Sequence, residues 1–294
     1  MVRNKKSELG FSIFIHTSIV LYLAIVIIPL LYVIANSFSS PDAVYTGRVY
    51  LWPVDFSLEA YQKIFEYDAL WVGYRNTIVY TIVYTLISLL LQFTAGYAFS
   101  KRDLRFKSPI MFFYILTMFI NGGMIPTYLV VQSLNLLNTM WAVVLPGCFG
   151  VFNAIIVRTY INAMIPYEVQ ESASIDGAGP IRIFATIILP LCLPILAVQI
   201  LFAVVAQWNS FFNALIYVSD RAKHPLQLVL QRLLVSNDTG DLGLDGALAV
   251  AERTKLAAAI KYAVIIVANA PILIIYPFFE KYFDKGMVLG TLKG

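Results

Sequence analysis

The sequence predicts an all-α membrane protein that crosses the bilayer several times. Three observations lead there: an apolar share too large for a soluble globule, apolar runs of spanning length, and positive charges gathered at the ends of those runs. Of the 294 residues, 60% are hydrophobic and 13% charged, and the mean hydropathy is +0.76. A soluble domain carries roughly 25% charged and 45–50% apolar residues, and most of its surface must tolerate water. Lipid removes that demand. The net charge of +4 is not gathered into the basic face of a nucleic-acid binder, so membrane lipid is an expected partner and nucleic acid is not.

A helix needs around 20 mostly apolar residues to cross a hydrocarbon core of about 30 Å. Six segments meet that test, at residues 11–38, 77–99, 109–131, 140–163, 191–218 and 256–279. The first follows Arg3, Lys5 and Lys6. It is too long for a cleavable signal core of about 7–15 residues and is expected to be retained. The second precedes Lys101, Arg102, Arg105 and Lys107, and the sixth precedes Lys281, Lys285 and Lys293. With six crossings these clusters fall on one side, which the Lys/Arg rule makes cytoplasmic. The expected organisation is a cytoplasmic amino terminus (1–10), a membrane domain (11–279) and a cytoplasmic tail (280–294), with external loops at about 39–76 and 219–255. The second external loop carries Arg221, Lys223, Arg232, Arg253 and Lys255, which longer loops tolerate.

Polar residues inside spans are costly unless they face protein or water. The second span places Tyr80, Tyr84, Ser88 and Gln92 at four-residue spacing, one face of a helix. The third holds Asn121 and Tyr128, and the fifth holds Gln207, Trp208, Asn209 and Asn213. Amides beside aromatic rings suit a polyhydroxylated solute, so Asn121, Tyr128, Gln207, Trp208, Asn209 and Asn213 are the candidate substrate path. Hydrogen bonding between packed helices is the competing use of the same side chains.

Chemistry-bearing constellations are absent from the sequence. His16 and His224 stand far apart without clustered partners, and Cys148 and Cys192 sit in or beside apolar runs, where free Cys behaves as a small hydrophobe. There is no zinc-protease His-Glu-x-x-His and no Gly-x-x-x-x-Gly-Lys-[Ser/Thr] phosphate loop. The chain is not expected to be an enzyme, nor to hold a metal or cofactor of its own.

The segment 165–190 is built differently from the spans. Pro166 fits the first turn of a helix, and Glu168 and Glu171 suit its positive end. Gly177, Gly179 and Pro180 end that helix, and a second short helix is expected over 181–188, stopping before Pro190. Ala173, Gly177 and Ala178 have little side chain, so a partner surface could approach the corner closely.

The segment Glu171-Ser172-Ala173, then Gly177, then Ile187-Ile188-Leu189-Pro190 resembles the EAA loop of bacterial ABC importer permeases. Its pattern there is Glu-Ala-Ala, three residues, Gly, nine residues, Ile, one residue, Leu-Pro, and Ser172 for Ala is the one departure. The tail Glu280–Gly294 and the motifs Asn121-Gly-Gly-Met-Ile-Pro126 and Gln207-Trp-Asn-Ser-Phe-Phe-Asn213 resemble the carbohydrate branch, in particular the second permease of maltose-type systems. The resemblance implies six transmembrane helices with short cytoplasmic coupling helices, the type I importer permease fold. It implies that Glu168, Glu171, Ala173, Asp176, Gly177, Ala178, Leu189 and Pro190 dock on an ATPase. It further implies a second homologous permease, two copies of an ATP-binding subunit that binds ATP-Mg, and an extracellular solute-binding lipoprotein. The substrate class implied is oligosaccharides from polysaccharide breakdown. An ion-driven secondary transporter is the alternative; it would carry acids in its span centres, and none stand there.

Overall fold

A computed structural model describes residues 5–235 and 250–291, with side chains from 11 to 234 and from 251 to 279. The described residues are helical apart from turns and one isolated bridge, Ser39 to Phe56. They divide into two compact units, one from Met1–Leu70 with Leu230–Ala270, the other from Trp71–Val229 with Pro271–Gly294.

The first unit begins with α1 (Lys5–Ser37), whose described side chains are nearly all exposed up to Ile34. A helix apolar on every side with so little of it covered belongs in lipid or against a protein neighbour. It ends where its last carbonyls, which have no intrahelical partner, are taken by side chains. Ser37 Oγ donates to Ile34 O (2.8 Å) and Ser39 Oγ to Ala35 O (2.7 Å). Ser40 then caps α2 (Pro41–Tyr45) by accepting from Ala43 N, with Pro41 at the first helical position, where a missing N–H costs nothing.

The region expected as an open external loop is instead a small folded cap. Phe38 stacks on Phe56 at 5.9 Å, and Tyr61 of α3 (Glu59–Phe65) donates its hydroxyl to Ser37 Oγ. Asp42 joins Arg48 (2.9 Å) and Lys255 (2.5 Å). Lys255 holds Asp42 below its ordinary carboxylate range, with Arg48 adding to the effect.

The second unit is organised along α4 (Asp68–Ser100), an uninterrupted helix long enough to span. Tyr80 belongs to one buried cluster, with Val143, Val144, Tyr217 and Leu228. Phe93 and Tyr97 belong to another, with Val157, Ile161, Ile183 and Ile188. At Gly96 the chains come so close that an added Cβ would stand 2.7 Å from Val157 Cγ1 and 3.1 Å from Ala154 O. Only hydrogen fits there, the small-residue route to close helix packing in membranes.

The remaining expected spans are not continuous. Three helices qualify as unbroken spans (Phe11–Ser37, Asp68–Ser100 and Ala251–Phe279), and two bent pairs raise the number to five at most. The 109–131 segment is α5 (Lys107–Phe119) and α6 (Met124–Ser133), bent by 112° across Asn121-Gly122-Gly123. The 140–163 segment divides into α7 (Met140–Val144) and α8 (Val151–Met164) around Pro146, which has no N–H to continue a helix. The 191–218 segment divides into α12 (Leu193–Trp208) and α13 (Phe212–Tyr217).

Between α8 and α12 lie α9 (Tyr167–Ile175), α10 (Pro180–Ile183), a π-helical turn at Phe184–Ile188 and α11 (Leu189–Leu191). The short helix expected to stop before Pro190 thus continues through it to Leu191, and the break falls at Cys192, where the chain turns by 84°. The wide π turn, a local departure from the i−4 bonding that Pro disrupts, stands immediately before the proline.

The external loop expected at 219–255 contains α14 (Leu226–Val235) and the start of α15 (Val250–Thr291). His224 in that stretch is buried, its Nε2 3.1 Å from Val218 O. The Asp238-to-Gly243 run, Arg3 and Lys293 lie outside the described residues, as do the side chains of Lys5, Lys6, Lys281 and Lys285.

Candidate coupling loop and translocation cavity

The 165–190 loop is two short helices meeting at a corner whose geometry can be traced bond by bond. Pro166 caps α9, Glu168 lies in its first turn, and Asp176 is its carboxyl-terminal cap. Gly177 then takes φ +83°, its N–H donates to Ser174 O (3.1 Å), and Ala178 N–H donates to Ala173 O (2.9 Å). This crossed pair is a Schellman motif, which needs a left-handed residue and favours glycine there. No atom lies within 4 Å of where a Cβ on Gly177 would stand, so backbone conformation, not crowding within the chain, requires the glycine.

The small residues of the corner do not all point the same way. Ala173 and Ala178, like Leu189, pack against the chain's own cluster of Phe93, Tyr97, Val157 and Ile161. What faces outward is Glu168, Glu171, Asp176, Gly177 and Pro190. Two residues that sequence reasoning missed stand out most: Ile175 is 86% exposed and Ile181 is 84% exposed, on either side of the glycine corner. Their signal was present as isoleucines at the polar ends of α9 and α10, where an apolar residue has no core to reach. Tyr97 holds the corner from below, donating its hydroxyl to Pro180 O (3.3 Å) and packing its ring 5.3 Å from Phe184.

A second feature forms where three helix breaks meet. A cavity of about 550 Å³ is lined by Asn121, Gly123, Met124, Thr127, Pro146, Gly147, Phe212, Asn213 and Tyr217. Irregular backbone at membrane depth is tolerated only where protein or water meets its polar groups, and side chains do that here. Asn121 Oδ1 accepts from Gly123 N (2.8 Å), and Thr127 Oγ1 donates to Gly123 O (2.8 Å). Asn213 Nδ2 reaches Val143 O and Pro146 O at 3.4 and 3.3 Å. From α4, Tyr84 donates to Gly147 O (3.0 Å) and Ser88 to Cys148 O (2.5 Å). The polar stripe of α4 therefore staples the α7–α8 break, and Tyr80 likewise donates to Lys223 O.

The sequence-predicted path residues separate in space. Asn121 and Asn213 line the cavity together, and Tyr128 packs behind it with its ring 6.0 Å from Tyr217. Gln207 and Trp208 are buried elsewhere, Trp208 with its ring 6.2 Å from Tyr74. Asn209 folds back on Val205 O and meets Gln227. None of these last three lines the cavity.

Residues 69–289 match the family described as binding-protein-dependent transport system inner membrane component. The chain belongs to that family. It is 39% identical over 287 residues to the polygalacturonan/rhamnogalacturonan transport system permease protein YtcP of Bacillus subtilis (strain 168), covering 97% of this chain and 98% of that one. Protein LplC of the same organism is 40% identical over 271 residues, covering 92% of this chain and 90% of that one. Among solved structures, a bacterial ABC transporter involved in import of the acidic polysaccharide alginate contains a chain that superposes with a TM-score of 0.85 at 29% identity, covering 96% of this chain and all of that one.

The chain is accordingly a permease of an ATP-driven importer, a multi-pass membrane protein and not an enzyme. Its family works with an ATPase, a solute-binding protein and another permease. The ion-driven carrier weighed from sequence is set aside by that membership.

Proposed function

We propose that this permease imports oligosaccharides released from polysaccharides and receives its driving force through the 165–190 loop. The observation that carries the coupling half is the Schellman corner at Gly177, which presents Ile175, Ile181 and Glu171 outward on a braced knob. Two exposed apolar side chains flanked by carboxylates fit an apolar cleft with a basic rim on an ATPase surface. Two such ATPase copies would bind ATP-Mg, since this sequence has no phosphate loop. Both termini and the loop would then lie in the cytoplasm, as the Lys and Arg placement favours. An extracellular lipoprotein would deliver the solute.

The substrate half draws on the relatives named for polygalacturonan/rhamnogalacturonan transport and for import of the polysaccharide alginate and on the cavity at the helix breaks. Asn121 and Asn213 spend part of their amides on the backbone, leaving Asn121 Nδ2 and Asn213 Oδ1 for sugar hydroxyls. Phe212 and Tyr217 offer ring faces. The test is transport by the assembled importer carrying Ile175→Asp with Ile181→Asp, or Glu171→Lys. Each should abolish co-purification of the ATPase while the permease still inserts. Normal coupled transport in either variant would refute the docking assignment.

A further inference from the structure

A cavity of about 500 Å³ lies between the 100–107 turn and the start of α9, lined by Ser100, Arg102, Lys107, Asn162, Glu168 and Gln170 among others. Its cations are held in place. The Arg102 guanidinium lies 4.5 Å over the Tyr167 ring, and Lys107 Nζ donates to Lys101 O at 2.7 Å, keeping two further N–H donors. Lys101 and Arg105 of the same turn lie over the Tyr97 and Phe106 rings, so two cations, Arg102 and Lys107, line the cavity against the carboxylate of Glu168.

The second observation is Gln170. It is 4% exposed, lines the cavity, and its Oε1 has no hydrogen-bond partner. A buried acceptor without a donor is costly, and native structures rarely leave one without a reason. That oxygen is enclosed, so the cavity meets the nitrogen end of the amide, and an occupant that suits this wall carries an anion that accepts from Arg102, Lys107 and Gln170 Nε2.

We propose that the cavity takes the headgroup of an anionic phospholipid of the phosphatidylglycerol kind. Its phosphodiester would lie between Arg102 and Lys107, accepting from Gln170 Nε2 as well. A soluble glycerol phosphate presents the same groups. The lipid is favoured because apolar side chains stand exposed beside the turn: Phe106 is 66% exposed, and Ile110 and Phe113 of α5 are 45% and 65% exposed. Acyl chains have a surface to follow there. Basic pockets of this sort on the cytoplasmic side of helices hold anionic headgroups. The proposal rests on the reading above only in placing the 165–190 loop at the membrane surface. The occupant would brace the first turn of α9, making energy coupling depend on the lipid.

The experiment uses the assembled importer, extracted in mild detergent, with bound lipid identified by native mass spectrometry. Wild type should retain phosphatidylglycerol. Arg102→Gln with Lys107→Gln should lower retention about tenfold or more, from the loss of two surface cations. Gln170→Met, which keeps the volume and removes the amide donor, should lower retention while the ATPase still co-purifies. In phosphatidylcholine nanodiscs, adding phosphatidylglycerol should raise ATP hydrolysis of wild type, and millimolar glycerol 3-phosphate should neither mimic nor displace it. Equal lipid retention in both variants would overturn the proposal, as would displacement by glycerol 3-phosphate, which would assign the cavity to a soluble phosphate. Glu171→Lys separates the two readings: it should lose the ATPase and keep the lipid.

Discussion

Gly177 allows the coupling corner to be tested against its alternative. The residue sits at φ +83° with nothing within 4 Å of a would-be Cβ. Alanine there meets no clash inside the chain, so its cost is the left-handed backbone alone, about 1–2 kcal/mol. Spent on the corner that positions Ile175 and Ile181, this lowers the fraction of docking-competent loop by a factor of roughly 5–30. Asparagine tolerates the left-handed region better than other non-glycine residues, so Gly177→Asn should recover most of the loss in spite of its larger side chain. The assay is the apparent affinity of the reconstituted permease pair for the ATPase, measured with transport rate for wild type, Ala, Asn and Val. The expected order is Gly, then Asn, then Ala, then Val. If close approach of a partner were what demands glycine, side-chain size would rule and Ala would outperform Asn. That order, or an alanine variant equal to wild type, would refute the conformational argument.

Three further outcomes follow from the packing and charge of the two units. Gly96→Ala should destabilise the permease in detergent by about 1–3 kcal/mol through overpacking against Val157 Cγ1, Val157 Cβ and Ala154 O, and Val157→Ala, which removes only the first of these, should recover part of the loss in a thermal melt. Ser88→Ala strips the donor from Cys148 O and should cost about 0.6–1.7 kcal/mol, the range for interhelical bonds in membranes; no loss in denaturant titration would show the α7–α8 break is held elsewhere. For the folded cap, Asp42 titrates below its ordinary 3.8 because of Lys255 and then Arg48. A carboxylate lowered on folding contributes above its unfolded value and loses that contribution as pH falls through the folded one. Hydrogen-exchange protection factors in residues 38–57, which divide out the intrinsic pH dependence of exchange, should therefore be unchanged between pH 8 and 5 (about the range over which the carboxylate stays ionised) and fall only below about pH 4. Asp42→Asn should remove that acid step.

The geometry of the 165–190 loop was legible because it is local. Pro166, the early carboxylates and the glycine corner act through bonds spanning a few residues, so their spacing carries the geometry. The outward role of Ile175 and Ile181 and the inward role of Ala173 and Ala178 were not legible, since orientation depends on where Phe93, Tyr97 and Val157 arrive from distant sequence. The stripe Tyr80, Tyr84, Ser88 and Gln92 had two uses open to it. Contact with carbonyls more than fifty residues away decided for helix stapling in Tyr84 and Ser88.

Composition alone determined that this protein lives in lipid, because the free energy of burying apolar surface sums over the chain whatever its order in space. Apolar runs likewise marked which segments can enter the bilayer, since spanning is a matter of length. Tertiary structure decided where those runs break. The bend at Asn121-Gly122-Gly123 is held locally by Asn121 and Thr127, but the break around Pro146 is stable only when other elements supply hydrogen bonds to the freed backbone, and those partners, Tyr84 and Asn213, come from far along the chain. It also decided which polar residues share a cavity, bringing Asn121 to Asn213 and leaving Trp208 and Asn209 outside.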